Sequence, residues 1–234
     1  MNWVLANLGL ILDRMIAHLW LAAPAILAAL VVSLPIGWAA RRHRWSRAVV
    51  LSAAGLLYAI PSLPLFILLP TVIGTAVRDR LNVVAALTLY GIALMVRSVA
   101  DALDSVDPDV EQAATAMGYA PWARFWAVDL PLAGPVLLAG LRVVAVSTIS
   151  LVTVSAVLGV NSLGMLFIDG FQRGILAEVV AGILATALLA LAVDFGLVLA
   201  GRVLLPWTRQ RPLKLLPEEP AAQPGGTPAS GAER

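Results

Sequence analysis

The hydrophobic residues of this chain are gathered into five long runs separated by short polar stretches. A helix needs about 20 apolar residues to cross the hydrocarbon core of a bilayer. We therefore place five membrane spans near residues 17–40, 48–76, 82–100, 136–160 and 177–204. Hydrophobic residues make up 60% of the chain and charged residues only 13%, whereas soluble proteins average roughly half and a quarter. The sequence predicts an all-α polytopic membrane protein.

Two polar segments flank the predicted membrane domain of residues 17–205. Residues 1–16 alternate apolar with polar side chains, a mixture typical of a helix lying on a membrane surface, here the outer one. Residues 206–234 include a stretch rich in Pro, Ala and Gly with little to bury, so we expect a disordered cytoplasmic tail.

The distribution of basic residues predicts the orientation of the chain. An odd number of spans puts the two termini on opposite sides, and loops rich in Arg and Lys stay in the cytoplasm. The basic residues concentrate in the first loop and after the last span, namely Arg41, Arg42, Arg44, Arg47, Arg202, Arg209, Arg211 and Lys214. We expect the N-terminus outside and the C-terminus in the cytoplasm, which makes residues 101–135 a cytoplasmic segment.

That cytoplasmic segment carries the signals of two short helices. Asp107 is a good N-cap, Pro108 suits a first helical position, and Gly118 can adopt the left-handed conformation that ends a helix. These residues predict a helix that begins at Pro108 and ends before Gly118. A second helix is expected to begin at Pro121 and to be stopped by Pro131, which lacks an N–H. The segment is predicted to form a compact surface for another protein.

The same segment resembles the EAA loop of permease subunits of bacterial ABC importers. The family pattern is Glu-Ala-Ala, three residues, Gly, nine residues, Ile, one residue and Leu-Pro. The residues that match its spacing are Gln112, Ala113, Ala114, Gly118, Val128, Leu130 and Pro131. Gln112 replaces the family's Glu, and Glu111 is the candidate substitute acid. The resemblance implies a coupling helix for a separate ATPase, whose contact we assign to the small face of Ala113, Ala114 and Gly118.

A second resemblance narrows the branch of importers. Residues 162–175, SLGMLFIDGFQRGI, and 59–66, AIPSLPLF, are similar to permeases for osmoprotectants. The likeness implies a type I importer permease fold in the bacterial inner membrane and a substrate such as glycine betaine, carnitine, choline or proline. Another small solute, such as methionine, is the alternative. By the same likeness, Gly164 and Gly170 belong to an outer gate.

The resemblance also implies partners. These are a cytoplasmic ATPase dimer, a second permease subunit that is identical or paralogous, and an extracytoplasmic binding protein, besides membrane lipid. Lys214 is the only lysine and follows a leucine rather than a glycine-rich loop, so we expect ATP and Mg²⁺ on the partner and no cofactor here. His18 and His43 lie at opposite ends of the first span and cannot share a metal ion. Nothing in the charge pattern indicates nucleic acid.

Several polar residues inside the spans are candidates for the translocation path. Proline frees a backbone carbonyl that must find a partner in protein or water, and an intramembrane acid must face a polar interior. The candidates are Pro61, Ser147, Thr148, Ser150, Thr153 and Asp194. Ordinary helix packing, with hydroxyl bonds and a pairing of Asp194 to a neighbouring span, is the alternative explanation. A remote alternative is an intramembrane enzyme that uses Asp194 or these hydroxyls.

An acidic run precedes the EAA-like motif. It contains Asp101, Asp104, Asp107, Asp109 and Glu111 and no basic residue. We expect a solvated surface with a helix cap at Asp107, and the alternative is that some of these acids contact basic residues of the ATPase.

Overall fold

The computed structural model describes residues 2–208, apart from the side chains of Asn2, Arg44 and Thr208, and every regular element in that range is a helix. The α-helices are α1 (Asn2–Ala6), α2 (Leu8–Arg41), α3 (Arg44–Ala59), α4 (Ser62–Ile73), α5 (Arg80–Asp104), α6 (Pro108–Ala116), α7 (Pro121–Arg124), α8 (Leu130–Val152), α9 (Gly164–Gln172) and α10 (Leu176–Leu204). A π turn (Phe125–Asp129) precedes α8, and 3-10 turns cover Thr153–Leu158 and Pro206–Thr208.

Four continuous helical segments are long and apolar enough to cross a membrane. They are α2, α5, α10 and the segment Pro121–Leu158, which contains α7 and α8. The pair α3 and α4 makes a fifth span if it is counted as one, although the two helices meet at an angle of 104°. The predicted all-helical, five-span architecture is confirmed, and the predicted straight span over residues 48–76 is in fact broken.

The break between α3 and α4 lies at Ile60 and Pro61, both of which have extended backbone conformations. Proline disfavours a helical conformation in the residue before it, which explains why α3 ends here. The hydroxyl of Tyr90 donates a hydrogen bond to the Ile60 carbonyl, so a helix of the bundle supplies the donor that the interrupted helix cannot. The sequence predicted that a backbone carbonyl left without a donor by proline would find a partner in the protein, and the Ile60 carbonyl does so.

A second proline is handled in the same way. Pro70 lies inside α4 and has no N–H to donate to the carbonyl of Phe66, four residues earlier. The side-chain amide of Asn82, which is fully buried at the start of α5, donates to that carbonyl at 3.0 Å. Asn82 also donates to the carbonyl of Val77 at 3.3 Å. The amide therefore joins α4 to α5 through a carbonyl that Pro70 leaves free.

Helix α5 forms the centre of the bundle, and α2 and α8 pack closely on it. Small residues allow this closeness. A Cβ atom on Gly91 of α5 would lie 2.6 Å from the Cβ of Ala29 in α2. A Cβ atom on Gly140 of α8 would lie 2.4 Å from that of Ser98 in α5. Leu87 and Met95 of α5 are fully buried in the two apolar clusters that result.

The polar elements define two ends of this bundle. Helix α6 lies at one end, joined by ion pairs to the end of α2, and we call it the α6 end. Helix α9 lies against the 3-10 turn after α8 and against α10, at what we call the α9 end. The long helices α2 and α10 both finish at the α6 end.

The two flanking segments differ from the sequence-based expectation. Helix α2 begins at Leu8 and continues through residue 16 to Arg41, with Pro24 and Pro35 inside it, so a boundary at residue 16 falls inside a helix. The predicted tail of 206–234 begins as an ordered turn, in which the Trp207 indole donates to the carbonyl of Pro131 at 3.2 Å. Residues 209–234 of that predicted tail lie outside the described residues.

Pro131 does not end a helix, contrary to the sequence-based expectation. The π turn before it shifts the hydrogen-bond register by one residue, and the N–H of Leu130 bonds to the carbonyl of Phe125. Pro131 is thus the second residue of α8, inside a continuous helical segment, and the change of register at the π turn accommodates its missing N–H. The fourth span consequently begins before residue 136 and is continuous with α7.

Candidate functional site

Helix α6 has the caps that the sequence predicted. The Asp107 carboxylate accepts a hydrogen bond from the N–H of Asp109 at 2.9 Å, which caps the N-terminus. At the other end Gly118 has a φ of +90°, in the left-handed region, and the N–H of Tyr119 bonds back to the Ala114 carbonyl at 3.2 Å. This is a Schellman-type ending, which only glycine adopts without strain. The turn directs the chain into α7, which begins at Pro121 as predicted.

The exposed surface of α6 differs from the expected small face. Ala113 and Gly118 are exposed, but Ala114 is only 1% exposed and packs inside the protein. Two larger apolar residues are exposed instead, Val110 at 40% and Met117 at 72%. The three small residues therefore do not form one contact face.

We define the α6 surface as the exposed residues Val110, Gln112, Ala113 and Met117. It is a partly apolar patch with one amide, and the exposed carboxylate of Asp109 lies one helical turn before Ala113 on the same side. A partly apolar surface on a short helix is suited to lie in a groove of another protein.

Glu111 points into its own chain. Its carboxylate lies 2.7 Å from a guanidinium nitrogen of Arg41 and 3.4 Å from one of Arg124. Arg41 also contacts Asp104 at 3.2 Å, and Arg124 contacts the buried Asp129 at 3.3 Å. The expectation that Glu111 offers a substitute acid to the ATPase is therefore corrected. Its side chain is only 16% exposed and holds α6 to the end of α2 and to the end of α7.

The remaining acids of the run divide in two groups. Asp101 and Asp104 face Arg47 of α3, with 3.6 Å between Asp101 and the guanidinium. Asp107 caps α6, and Asp109 is exposed. The acids nearest the bundle thus have basic partners in the same chain. The arginine-rich first loop was predicted to lie on the same side of the membrane as these acids. Its arginines could therefore have been identified from the sequence as their partners.

The second half of the EAA-like motif is structural in this fold. Val128 is half-buried in the π turn, and Leu130 packs on the apolar cluster that contains Phe125. The carbonyl of Pro131 accepts the hydrogen bond from Trp207. These residues set the junction between α7 and α8 and thereby the position of α6.

The hydroxyl residues of the fourth span do not line a single surface. Thr148 and Ser155 are buried in the bundle, and the Ser155 hydroxyl bonds to a carbonyl of its own turn. Ser147, Ser150 and Thr153 lie on the open side of α8. The Thr153 hydroxyl donates to the Ser150 carbonyl at 2.6 Å. Only the second group remains available to a path.

Asp194 has a partner that the sequence analysis missed. Two nitrogens of Arg142 in α8 contact its two carboxylate oxygens at 2.6 and 2.7 Å, a bidentate pair that joins α8 to α10. Arg142 lies inside a predicted span, where an arginine is as costly in lipid as an acid is. Its position in the sequence could therefore have identified it as a partner for Asp194. Pro61, the other path candidate, is exposed at the bend between α3 and α4.

The glycines assigned to an outer gate lie at the α9 end. A Cβ atom on Gly164 would lie 2.2 Å from the carbonyl oxygen of Thr153, and one on Gly170 would lie 3.0 Å from the backbone nitrogen of Val179. Both positions therefore allow α9 to pack directly on backbone. Their role in a gate stays a prediction.

Within residues 2–208, no three His, Cys, Asp or Glu side chains are placed to hold a metal ion. His18 is fully buried, with its Nε2 atom 2.9 Å from the Ile149 carbonyl, and so it has a structural contact.

Comparison with known proteins agrees with this architecture. Residues 29–210 match the family described as binding-protein-dependent transport system inner membrane component. The osmoprotectant import permease protein OsmW of Salmonella typhimurium is 34% identical over 197 residues, which cover 83% of this chain and 91% of OsmW. The ergothioneine transport permease/ergothioneine binding protein EgtU of Helicobacter pylori is 36% identical over 165 residues, covering 70% of this chain and 29% of that longer protein.

A solved structure of the MetNI methionine ABC transporter, in an inward-facing conformation, superposes with a TM-score of 0.73. The match covers 85% of this chain and 98% of the other at 18% identity, which establishes the type I importer permease fold. Permeases of this kind work with an ATPase and a substrate-binding protein, and they transport rather than transform their substrates. The chain belongs to the binding-protein-dependent transport system inner membrane component family and is a multi-pass permease subunit of an ABC importer.

Proposed function

We propose that this permease subunit imports a small osmoprotectant, such as glycine betaine, carnitine, choline or proline. The similarity to OsmW over most of both chains supports this substrate class. The path lies between this subunit and a second permease, identical or paralogous, and a binding protein delivers the solute from outside. Methionine or another small solute is the alternative substrate.

We further propose that the α6 surface docks on one subunit of an ATPase dimer that carries ATP and Mg²⁺. The observation that supports this docking is a partly apolar, exposed helix surface that ion pairs hold to the bundle. The Glu111 carboxylate joins α6 to Arg41 of α2 and to Arg124 of α7, so a displacement of α6 is transmitted to α2 and, through α7, to α8. ATP-driven approach of the two ATPases would bring the two copies of α6 together and open the path outward.

The proposed orientation places the α6 end in the cytoplasm and the N-terminus outside. Arg41 and Arg47 at the end of α2 and the start of α3 lie at the same end as α6. Helix α10 also finishes there, as the Trp207 bond to Pro131 indicates. A single face of the bundle thus carries both the arginine-rich loop and the docking surface.

Reconstitution into proteoliposomes tests the function. The chain is assembled with a candidate ATPase, second permease and binding protein from the same organism, and ATP-dependent uptake of radiolabelled glycine betaine, choline, proline and methionine is compared. We expect accumulation of at least one quaternary ammonium solute, against a concentration gradient, only when all components are present. Uptake of methionine alone would favour the alternative substrate, and uptake without ATP would refute an ATP-driven importer.

The variant Ala113→Glu tests docking separately. A second carboxylate, in the centre of the partly apolar α6 surface, should prevent association with the ATPase, while the isolated permease unfolds at the same temperature as the unsubstituted chain. Unchanged association and uptake would contradict the docking assignment.

A further inference from the structure

The pair Arg142 and Asp194 lies deep within the membrane-spanning part of the bundle. Arg142 is roughly 18 Å along α8 from Leu130 and roughly 15 Å from Val152, taking about 1.5 Å per helical residue. Asp194 is roughly 15 Å from the end of α10 at Leu204 by the same estimate. Both charges therefore lie more than two helical turns inside the ends of these apolar helices.

The pair is not enclosed by the subunit. The Arg142 side chain is 41% exposed and that of Asp194 is 24% exposed. Ionisable groups at this depth face a bundle interior or a water-filled cavity rather than lipid. A partly exposed ion pair at this position therefore favours a side of the subunit that faces the transport path, where water and solute replace lipid.

A groove between α8 and α10 opens beside the pair. Its volume is about 810 Å³, within the range of small-molecule sites. Arg142 and Asp194 are the charged residues of its lining, Ser147 adds a hydroxyl, and the rest of the wall is apolar, with Val143 and Ala187 on opposite helices. The groove therefore offers one positive group, one negative group and an apolar wall.

Such a pair can exchange partners with a zwitterion without leaving a charge uncompensated. A solute carboxylate can replace Asp194 on the planar guanidinium of Arg142, since both offer the same two oxygens. The displaced Asp194 is then free for the cationic nitrogen of the same solute. A cation without a carboxylate would leave Arg142 without an anion at a depth where that is costly.

We propose that Arg142 and Asp194 form a transient binding site for zwitterionic solutes that carry a carboxylate and a cationic nitrogen. The site rests on the proposed importer function and narrows its substrates. Glycine betaine, carnitine and proline fit this chemistry, whereas choline, which has no carboxylate, does not.

The first experiment removes both charges at similar volume in the reconstituted importer. The variant Arg142→Met with Asp194→Leu is compared with Thr186→Val, a control on α10 whose hydroxyl bonds to Gly182 within its own helix. Replacing an ion pair by apolar residues usually preserves the fold. We expect glycine betaine uptake at limiting solute to fall about 10- to 100-fold in the double variant, as for lost charge-assisted hydrogen bonds, and to stay unchanged in Thr186→Val.

A second experiment does not depend on the double variant folding. Because the chain contains no cysteine, Ala187→Cys places a single thiol in the groove, and Leu188→Cys places a control thiol on another side of α10. A membrane-impermeant, cationic methanethiosulfonate reagent should label position 187 of the assembled importer, and glycine betaine should slow that labelling more than choline does. Labelling at position 188 should not respond to either solute.

The outcomes separate the site from the function. Uptake of glycine betaine by the double variant equal to that of the unsubstituted chain would overturn the site and leave the importer function intact. The site would also be overturned if position 187 were not labelled, or if glycine betaine did not change the rate of that labelling. Transport of choline as efficient as that of glycine betaine would overturn it as well. An unsubstituted complex that imports choline but no zwitterion would overturn the site alone, and a complex that imports none of these solutes would refute both proposals.

Discussion

The hydrogen bond from Asn82 to the carbonyl that Pro70 leaves free makes a quantitative prediction. The substitution Asn82→Leu removes the donor 3.0 Å from the Phe66 carbonyl, in a position that is fully buried. The substitution Pro70→Ala restores a backbone N–H four residues after Phe66, where an uninterrupted helix would donate. The two changes should therefore compensate each other in part.

The expected coupling free energy depends on whether the Phe66 carbonyl has a hydrogen-bond donor. Leaving a buried acceptor without a donor costs about 1–3 kcal/mol. In the Pro70→Ala background the Phe66 carbonyl keeps a donor, so Asn82→Leu should cost about 1–3 kcal/mol less there than in the unsubstituted chain. Asn82→Leu also removes the longer hydrogen bond to Val77 and the buried Oδ1 atom of Asn82. The free-energy changes from these two losses are the same in both backgrounds and cancel in the cycle.

The assay is a double-mutant cycle on the purified permease in mixed micelles. Unfolding by denaturing detergent is followed through the fluorescence of the seven tryptophans. The matched control is Pro64→Ala, which changes a proline of the same helix that lies in its first turn, where the N–H has no intrahelical acceptor. A coupling energy near zero for Pro70 with Asn82, or an equal coupling for Pro64, would refute the reasoning.

Further substitutions test single positions by the same unfolding assay. Gly118→Val should lower the free energy of unfolding by about 1–2 kcal/mol, because the left-handed conformation is costly for a residue with a Cβ. The same variant should abolish coupled uptake. The control Gly9→Ala, where an added Cβ meets nothing within 4 Å, should not destabilise the permease. Gly164→Ala should cost about 1–3 kcal/mol because its Cβ would overlap a backbone oxygen, and normal stability would contradict the α9 packing. Glu111→Gln should cost about 1 kcal/mol, since Arg41 and Arg124 keep other acids, yet should uncouple ATP hydrolysis from uptake.

The parts of the fold that were predictable from sequence are those that local rules decide. Run length and hydropathy gave the number of spans, and the caps at Asp107 and Gly118 gave both ends of α6. These signals act within one or two helical turns and need no knowledge of neighbours. The EAA-like spacing identified the family because it is a local pattern as well.

The parts that sequence reasoning missed depend on contacts between distant segments. Arg142 meets Asp194 across 52 positions, and Glu111 turns towards Arg41 rather than outward because α2 ends beside α6. The π turn before Pro131 likewise depends on how the fourth span packs. The charged residue types at positions 111, 142 and 194 indicated that each side chain needs an ionic partner, but not which residue that partner is.

Cross-linking to the ATPase tests the central claim most directly. Met117→Cys places the only thiol of the chain on the α6 surface, at a side chain that is 72% exposed, and Phe171→Cys places it on α9, at one that is 85% exposed. A short bifunctional thiol reagent is applied to the assembled importer, with single cysteines scanned across the ATPase. We predict that position 117 forms a cross-link whose yield changes with ATP and that position 171 forms none. Cross-linking from position 171, or none from position 117 in an importer that still transports, would contradict docking through α6.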